Sequence, residues 1–563
     1  MTLDLQGLAA QREALDAHLR LLACEKRSLS ERYNSLLAVN FLPVEMLSRI
    51  FSAFAKDSST NSSLLRDVIR LSHVCRHWRQ IVLNMPVLWA SFDIDGVGKH
   101  EVRHVISELL QRSQRAPIRL SIDVSSWMEA SPRRAVKAAF QILHHLTHIR
   151  KLSIVAGEHD TTEWFEYLRT TPAPMLEKLK VWCCETAPFH IPDTMFNGAA
   201  PQLRRLTLCM CRISPANALL AEITQLKLKH CLGELHYKEM LPVLANIPRL
   251  ENLLIEEEES EFMPNDLDLA GRARISLPRL RKLELSGPVP FMAALSNHLL
   301  LPSSASIIIR NEMDPFHDDN VFLEHLVQTG IIQEQDPLRA LYVCGNISAS
   351  TFLIQGSRTG PYAPTLNAIS SDLHMRFEDL GHFDRSYILT TYLSAANLDR
   401  LEELELCDLL PDVPWRAVFA RMPNVQKLTL GEYANTCNII EALMPPSNRN
   451  EIDMSSTGAA SNTGTNVPLP KLSWIGIMGS WVDLLDNAEE ELGEFLERLE
   501  TCLGARRRLR AASNPVATSF SFILPDDVDL NIVQVLTRYR DQSETWVGRD
   551  VADGEVDESV SAV

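Results

Sequence analysis

Few residues in this chain are spaced for chemistry. His144 and His148 stand four apart in "HHLTH", a separation that puts two imidazoles on one helix face and can chelate zinc. The glutamate that would serve as base in a metalloprotease is missing, since position 145 is also histidine. A polar helix face is therefore the expectation. Cysteines adjoin at 183–184 and recur in "CMC" at 209–211, without the CxxC pairs of a zinc site, so packed or surface thiols are expected. Glu256 to Glu259 read as a solvated acidic turn. Glu403 and Glu405 share one strand face and read as recognition charges, not as an acid–base pair. Neither a G-x-x-x-x-G-K-[ST] phosphate loop nor a G-x-S-x-G elbow occurs. The reading is of no catalytic residue, no metal and no cofactor, which turns attention to surfaces and to the elements that carry them.

A chain of 563 residues exceeds one ordinary core, so several domains or an elongated array are expected. The contents of 45% hydrophobic and 23% charged residues are globular values. A net charge of −17 argues against a nucleic-acid surface, although it leaves room for local basic patches. No run of eighteen apolar residues suggests a membrane span, and the first thirty residues lack the apolar core of a signal peptide. The odd count of 11 cysteines, irregularly spaced, points to reduced thiols in the cytoplasm or nucleus.

The first segment, 1–38, reads as a helix. Leu8, Leu15, Leu22, Leu29 and Leu36 recur every seventh residue and form one apolar seam. The companion seam holds Leu5 and Leu19 but also Arg12 and Lys26, so a homodimeric coiled coil, packing on the rest of the chain and a solvated helix all stay open. Pro43 opens the next helix, where its missing N–H costs little. Leu47, Ile50, Phe51 and Phe54 make its apolar face, "KDSSTNSS" at 56–63 reads as a polar loop, and a further helix sets Leu71, Val74, Cys75, Trp78 and Val82 on one side.

Beyond this helical unit the pattern apolar-x-x-apolar-x-apolar recurs, as in "LEKLKVW" at 176, "LRRLTLC" at 203, "LRKLELS" at 280, "LEELELC" at 401 and "VQKLTLG" at 425. Several intervals lie close to 27 residues, the range of a leucine-rich repeat with one strand per turn. Alternate residues share a strand face, so Leu206 and Leu208 enter a core that only stacked neighbouring turns can complete. The segments near 305 and 374 fit the pattern poorly. The outward positions Lys180, Trp182, Lys227, Lys229, Glu284, Tyr342 and Glu405 then line one surface, basic early and acidic late, suited to a protein partner of complementary charge.

"LPVEMLSRIF" at 42–51, followed by "LSHVCRHWRQIV" at 71–82 and "PVLW", resembles the F-box. The matching residues are Leu42, Pro43, Glu45, Leu47, Ile50, Phe51, Val74, Cys75, Arg76, Trp78 and Arg79. The closing "PxLW" and the preceding heptad helix are similar to large F-box families of mushroom-forming fungi, and the ladder is similar to that of F-box proteins with leucine-rich repeats. The resemblance implies an adaptor: a helical F-box that binds Skp1, and through it a cullin, in an SCF-type ubiquitin ligase, with the repeats holding an unidentified protein substrate. It assigns Leu42, Pro43, Glu45, Leu47, Ile50, Phe51, Val74, Cys75 and Trp78 to Skp1 binding, divided between the interface and the domain's own core. The expected architecture is α/β: an N-terminal helix (1–38), a helical F-box (39–92), an irregular leucine-rich-repeat solenoid (100–525) with a disordered insertion at 445–468, and a C-terminal segment with an acidic tail (526–563). A leucine-rich-repeat scaffold without a ligase role is the alternative.

Overall fold

The computed structural model describes residues 2–57, 61–95, 102–123, 145–157, 161–184, 189–231, 239–257, 274–312, 335–346, 351–359, 372–378, 385–407, 413–431, 436–445, 467–478, 497–499, 501–502, 504–506 and 519–523. The chain divides into two compact units, Met1–Leu226 and Lys227–Val563, with the division inside the strand Gln225–Lys229.

The first unit begins with helix α1 (Thr2–Ser35), whose leucines Leu8, Leu15, Leu22 and Leu29 remain exposed, as does Leu36 just past its end. Three helices follow: α2 (Val44–Asp57), α3 (Asn61–Val74) and α4 (Arg76–Leu83). The polar loop expected at 56–63 is therefore shorter than the sequence suggested. Helix α2 continues to Asp57 and α3 begins at Asn61, because Leu64 and Val68 of α3 are buried at helical spacing. The single helix expected across Leu71–Val82 is also divided. Cys75 takes an extended backbone (φ −155°, ψ 170°) and its thiol accepts a hydrogen bond from the Trp78 N–H at 3.4 Å, capping α4. Consequently Val74 turns outward while Val82 enters the core. Pro86 starts a short 3-10 turn, Pro86–Trp89, whose buried Trp89 donates from Nε1 to the Val82 carbonyl at 2.9 Å.

Parallel strands then add one by one: β1 (Ser91–Asp95), β2 (Ile118–Asp123), β3 (Ile149–Gly157), β4 (Lys178–Cys184), and β6 (Arg205–Cys209) beside β4. The short strands β5 (Phe189–Ile191) and β7 (Cys211–Ile213) pair apart from this ladder. Helix α5 (Val102–Ser113) joins β1 to β2, and its Arg112 guanidinium lies 4.5 Å from the Trp89 ring centre. Leu206 and Leu208 are buried as the alternation requires, and Leu203 is buried in the turn before the strand. Cys209 is buried as well, although alternation sets it opposite Leu208; Cys211 lies 3.4 Å from Cys183, sulfur to sulfur.

In the second unit, β8 (Gln225–Lys229) leads to β9 (Asn252–Glu256), β10 (Ile275–Ser276), β11 (Lys282–Ser286), β12 (Leu299–Leu300) and β13 (Ser306–Glu312). Strands β9, β11 and β13 are parallel neighbours, and β10 pairs with β12. Beyond β13 the ladder does not proceed in chain order. The next strands are β14 (Ala340–Asn346), β15 (Thr351–Ser357) and β16 (Leu373–Glu378). They form an antiparallel meander in which β16, not β14, lies beside β13. Parallel order resumes from β14 through β17 (Glu403–Cys407), β18 (Lys427–Leu430), β19 (Trp474–Met478) and β20 (Ser519–Ile523). Segments 305 and 374, poor matches to the repeat, are thus paired strands. Their inward residues Ile307, Ile309, Leu373 and Met375 join Leu283, Leu285, Leu404, Leu406, Leu428 and Leu430 in the core. Helix Val289–Asn297 is buried along its length, in keeping with an apolar sequence that has no polar stripe.

The chain is mixed α/β, with N-terminal helices and a mostly parallel sheet. Among the described residues no helix is long and apolar enough to cross a membrane. His144, residues 258–273, the central part of 445–468 and the 526–563 tail lie outside the described residues.

Candidate functional site

The helical unit 39–92 is built around Leu47 and Phe51, one turn apart on α2. With Leu64, Val68, Ile81, Val82 and Leu88 they are buried in its own core, Leu47 at 0% exposure. Full burial of such a side chain stabilises by about 1.5–3 kcal/mol. The Phe51 ring meets Trp78 at 4.8 Å between centres. The half-buried Trp78 also donates from Nε1 to Asn40 Oδ1 at 2.7 Å, and Asn40 Nδ2 donates to the Asn34 carbonyl at 2.6 Å. Arg76 pairs with Glu31 of α1 at 2.9 Å. The box residues Trp78 and Arg76 thus tie the end of α1 to α4.

The other side of α2 is uncovered. Met46, Ile50 and Phe54 follow at four-residue spacing and are 44%, 46% and 47% exposed, with Phe41, Val44 and Val74 also open to solvent. Pro43 and Glu45 are exposed, Leu42 and Cys75 half-buried, and the Pro43 carbonyl accepts from Met46 and Leu47 N–H groups to start the helix. Of the residues expected to bind a partner, Ile50, Val74, Pro43 and Glu45 lie outside, whereas Leu47 and Phe51 lie within the core. Met46, Val44 and Phe41 were missed; the i, i+4, i+8 series Met46, Ile50, Phe54 was the signal that could have found them.

The expected outward strand positions do point away from the apolar layer, and two of their charges, on Lys229 and Glu284, are matched. Lys180 sits 5.2 Å from the Trp182 ring centre. Lys227 is exposed. Lys229 pairs with Glu256 at 2.5 Å. Glu284 pairs with Lys282 at 3.3 Å and with Arg310, and although burial opposes it, these cations hold its carboxyl below the ordinary value. Of the glutamates on the later part of this surface, Glu256 and Glu284 are offset by cations.

Tyr342 and Glu405 stand side by side in the β14–β17 register, next to Cys344 and Cys407. Burial, with smaller effects from Cys344 and Glu403, pushes the Glu405 carboxyl up to about 7, and its Oε1 is buried without a hydrogen-bond partner. The thiol of Cys407 is pushed up by its hydrogen bond with Cys344 and by burial, and burial raises the Tyr342 hydroxyl. A raised thiol is a poor nucleophile. On the neighbouring strands Gln355 Nε2 lies 2.9 Å from His374 Nδ1, and burial holds that histidine down at about 4, neutral near pH 7. Among the described residues no group of three or more His, Cys, Asp or Glu side chains is placed to hold a metal ion. A cavity lined by Ile307, Asp336, Arg358, Asp372 and Tyr392 has about 20 Å³ of space for a water-sized occupant, too little for a substrate.

Residues 39–95 match the family model for F-box-like domains. The match takes in the helical unit and β1 and makes no statement about the rest of the chain. No curated protein matches the sequence. An F-box suggests a substrate-receptor role in an SCF ubiquitin ligase through Skp1, and F-box proteins are typically adaptors rather than enzymes.

Proposed function

We propose that this chain is a non-catalytic substrate receptor of an SCF-type ubiquitin ligase. The observation that carries the reading is a helical unit matching the F-box whose α2 leaves Met46, Ile50 and Phe54 exposed in one stripe. Contiguous apolar surface of this kind costs solubility unless a partner covers it. A Skp1-like adaptor seats on that stripe and on Leu42, Pro43, Glu45, Val74, Cys75 and Trp78, and it brings the cullin. The strands beyond residue 100 act as an irregular leucine-rich-repeat solenoid whose outward face, including Lys180, Trp182, Lys227, Lys229, Glu284, Tyr342 and Glu405, holds a protein substrate. The cytoplasm or nucleus is the setting. The exposed heptad leucines of α1 support homodimerisation through that helix as a second contact.

Co-expression with Skp1, followed by purification on the chain's own tag, tests this reading. A stoichiometric complex that also retains cullin supports it. Absence of Skp1 from the soluble, folded protein defeats it, and Skp1 without cullin turns the assignment to an interaction scaffold outside a ligase.

A further inference from the structure

In the first unit two buried sulfurs meet. Cys183 continues the inward alternation of β4 after Leu179 and Val181, and all three are fully buried. Cys211 opens β7, 28 residues further along the chain, and is fully buried too. Their Sγ atoms lie 3.4 Å apart, with both cysteines reduced. The Cys211 thiol is also 3.1 Å from the Cys209 carbonyl and 3.9 Å from that of Val181. A sulfur–sulfur bond is about 2.05 Å long, so the two sulfurs need to close by only about 1.4 Å.

The backbone bends to make this meeting. Leu179 and Val181 of β4 lie beside Leu206 and Leu208 of β6, so plain alternation from Leu208 would turn Cys211 to the other face of the sheet, away from Cys183. Met210 interrupts the alternation with a left-handed backbone, φ 53°. A residue with a Cβ adopts that region at a cost. The Met210 carbonyl accepts from the Phe189 N–H at 2.9 Å, which ties the turn to β5. Filling the space beside Cys183 needs only a small apolar side chain; the strained turn instead brings sulfur to sulfur. Strands β5 and β7 form a separate pair outside the main ladder. A lone two-stranded pair is marginal in water, so β7 parts from β4 more readily than the ladder strands part from one another. That opening admits a small oxidant to sulfurs that are otherwise enclosed.

We propose that Cys183 and Cys211 are a redox modification site, closed to a disulfide by a hydroperoxide such as hydrogen peroxide. Cys183 gives up its proton and its sulfur attacks one peroxide oxygen. The O–O bond breaks, a sulfenic acid forms on Cys183, and the departing hydroxide takes up the proton as water. The Cys211 sulfur then displaces the sulfenic oxygen, which leaves as a second water with the Cys211 proton. Two thiols are oxidised and one peroxide is reduced to two waters. A dithiol reductant reverses the bond. The closed loop pins β7, and β5 with it, to β4. Cys183 adjoins Trp182, which is 41% exposed on the other side of β4, so the bond fixes the strand end that presents this surface. The site acts whether or not the chain serves a ligase.

The test treats the full chain with hydrogen peroxide, alkylates the remaining thiols and digests with trypsin. Mass spectrometry should find residues 181–204 joined to residues 206–212, and fragmentation should place the bridge at Cys183 and Cys211 rather than at Cys184 and Cys209. Dithiothreitol should separate the two peptides. Cys184→Ser and Cys209→Ser keep the bridge, whereas Cys183→Ser and Cys211→Ser lose it, and circular dichroism confirms that the variants fold. The oxidised chain should melt roughly 5–10 °C above the reduced chain, since closing a loop of this length restricts the unfolded state. Absence of the joined peptides from the oxidised parent, a bridge mapped to Cys184 or Cys209, a bridge that survives Cys183→Ser or Cys211→Ser, or an unmoved melting midpoint would overturn the proposal. The first two results need no variant, so they decide the matter even where a serine fails to pack.

Discussion

The division of α2 into a buried and an uncovered side yields a sharp contrast between neighbouring residues. Ile50 and Phe54 expose 46% and 47% of their surface, and full burial of such side chains is worth about 1.5–3 kcal/mol. Covering what remains open is therefore worth roughly 0.7–1.4 kcal/mol for each, close to 2 kcal/mol for the pair. At 1.4 kcal/mol per tenfold, the double variant Ile50→Ala, Phe54→Ala should bind Skp1 roughly 30-fold more weakly. Its unfolding midpoint should stay near that of the parent, since neither side chain is in the core. Leu47→Ala reverses the pattern. Leu47 has no exposed surface, and removing a buried leucine costs about 2–5 kcal/mol of stability, so the helical unit itself should loosen. Calorimetric titration with purified Skp1, paired with denaturant unfolding followed by tryptophan fluorescence, reads both quantities. If the folded double variant bound Skp1 within twofold of the parent, the partner would not use this stripe and the reasoning from exposure to interface would fail.

Other consequences follow from single groups. Glu405 has a folded carboxyl raised to about 7 against an ordinary 4.5, so the stabilising contribution of its protonated form is complete below about pH 4.5 and lost as pH rises through 7. Glu405→Gln should therefore gain on the parent between pH 5 and pH 8, by at most about 3 kcal/mol, in chemical denaturation; a constant difference across that range would contradict the assignment. Relief of like-charge contact predicts that Lys151→Gln raises the thermal midpoint, whereas an ordinary surface lysine would leave it unmoved. Asn40→Ala removes the acceptor of Trp78 Nε1 and the link to the Asn34 carbonyl, so it should cost about 1–2 kcal/mol and speed amide exchange at the end of α1. At Gly476, an added Cβ would fall 2.1 Å from the Trp474 ring. Gly476→Ala should accordingly lower the thermal midpoint of the second unit, and an unchanged midpoint would mean that the ring moves aside freely.

The repeated strands were legible because their leucines obey a strict alternation that only a sheet can bury. That is why "LRRLTLC", "LRKLELS" and "LEELELC" fall on β6, β11 and β17. The meander β14–β15–β16 was not legible, since alternation is the same whichever way a strand runs and whichever strand it joins. Strands β1 and β2 escaped because they stand at the joint with the helical unit, before the repeat becomes regular. On the helices, Leu71 to Val82 keeps helical spacing across Cys75, and only the extended backbone there reveals the break. The candidate surface was half visible. Outward positions follow from alternation, but whether a charge is matched depends on register: Lys229 finds Glu256 on the adjoining strand, while Lys151 finds only cations. Likewise Leu47 and Ile50 look equivalent in the F-box pattern, and packing against α3 and α4 decides which of them a partner can touch.

The most direct test of the account is hydrogen–deuterium exchange across residues 39–95, with and without Skp1. The account predicts slowed exchange on addition of Skp1 in α2 and at the α3–α4 junction around Val74 and Cys75, and no change across β9 to β20. Unchanged exchange in α2 under saturating Skp1 would contradict it.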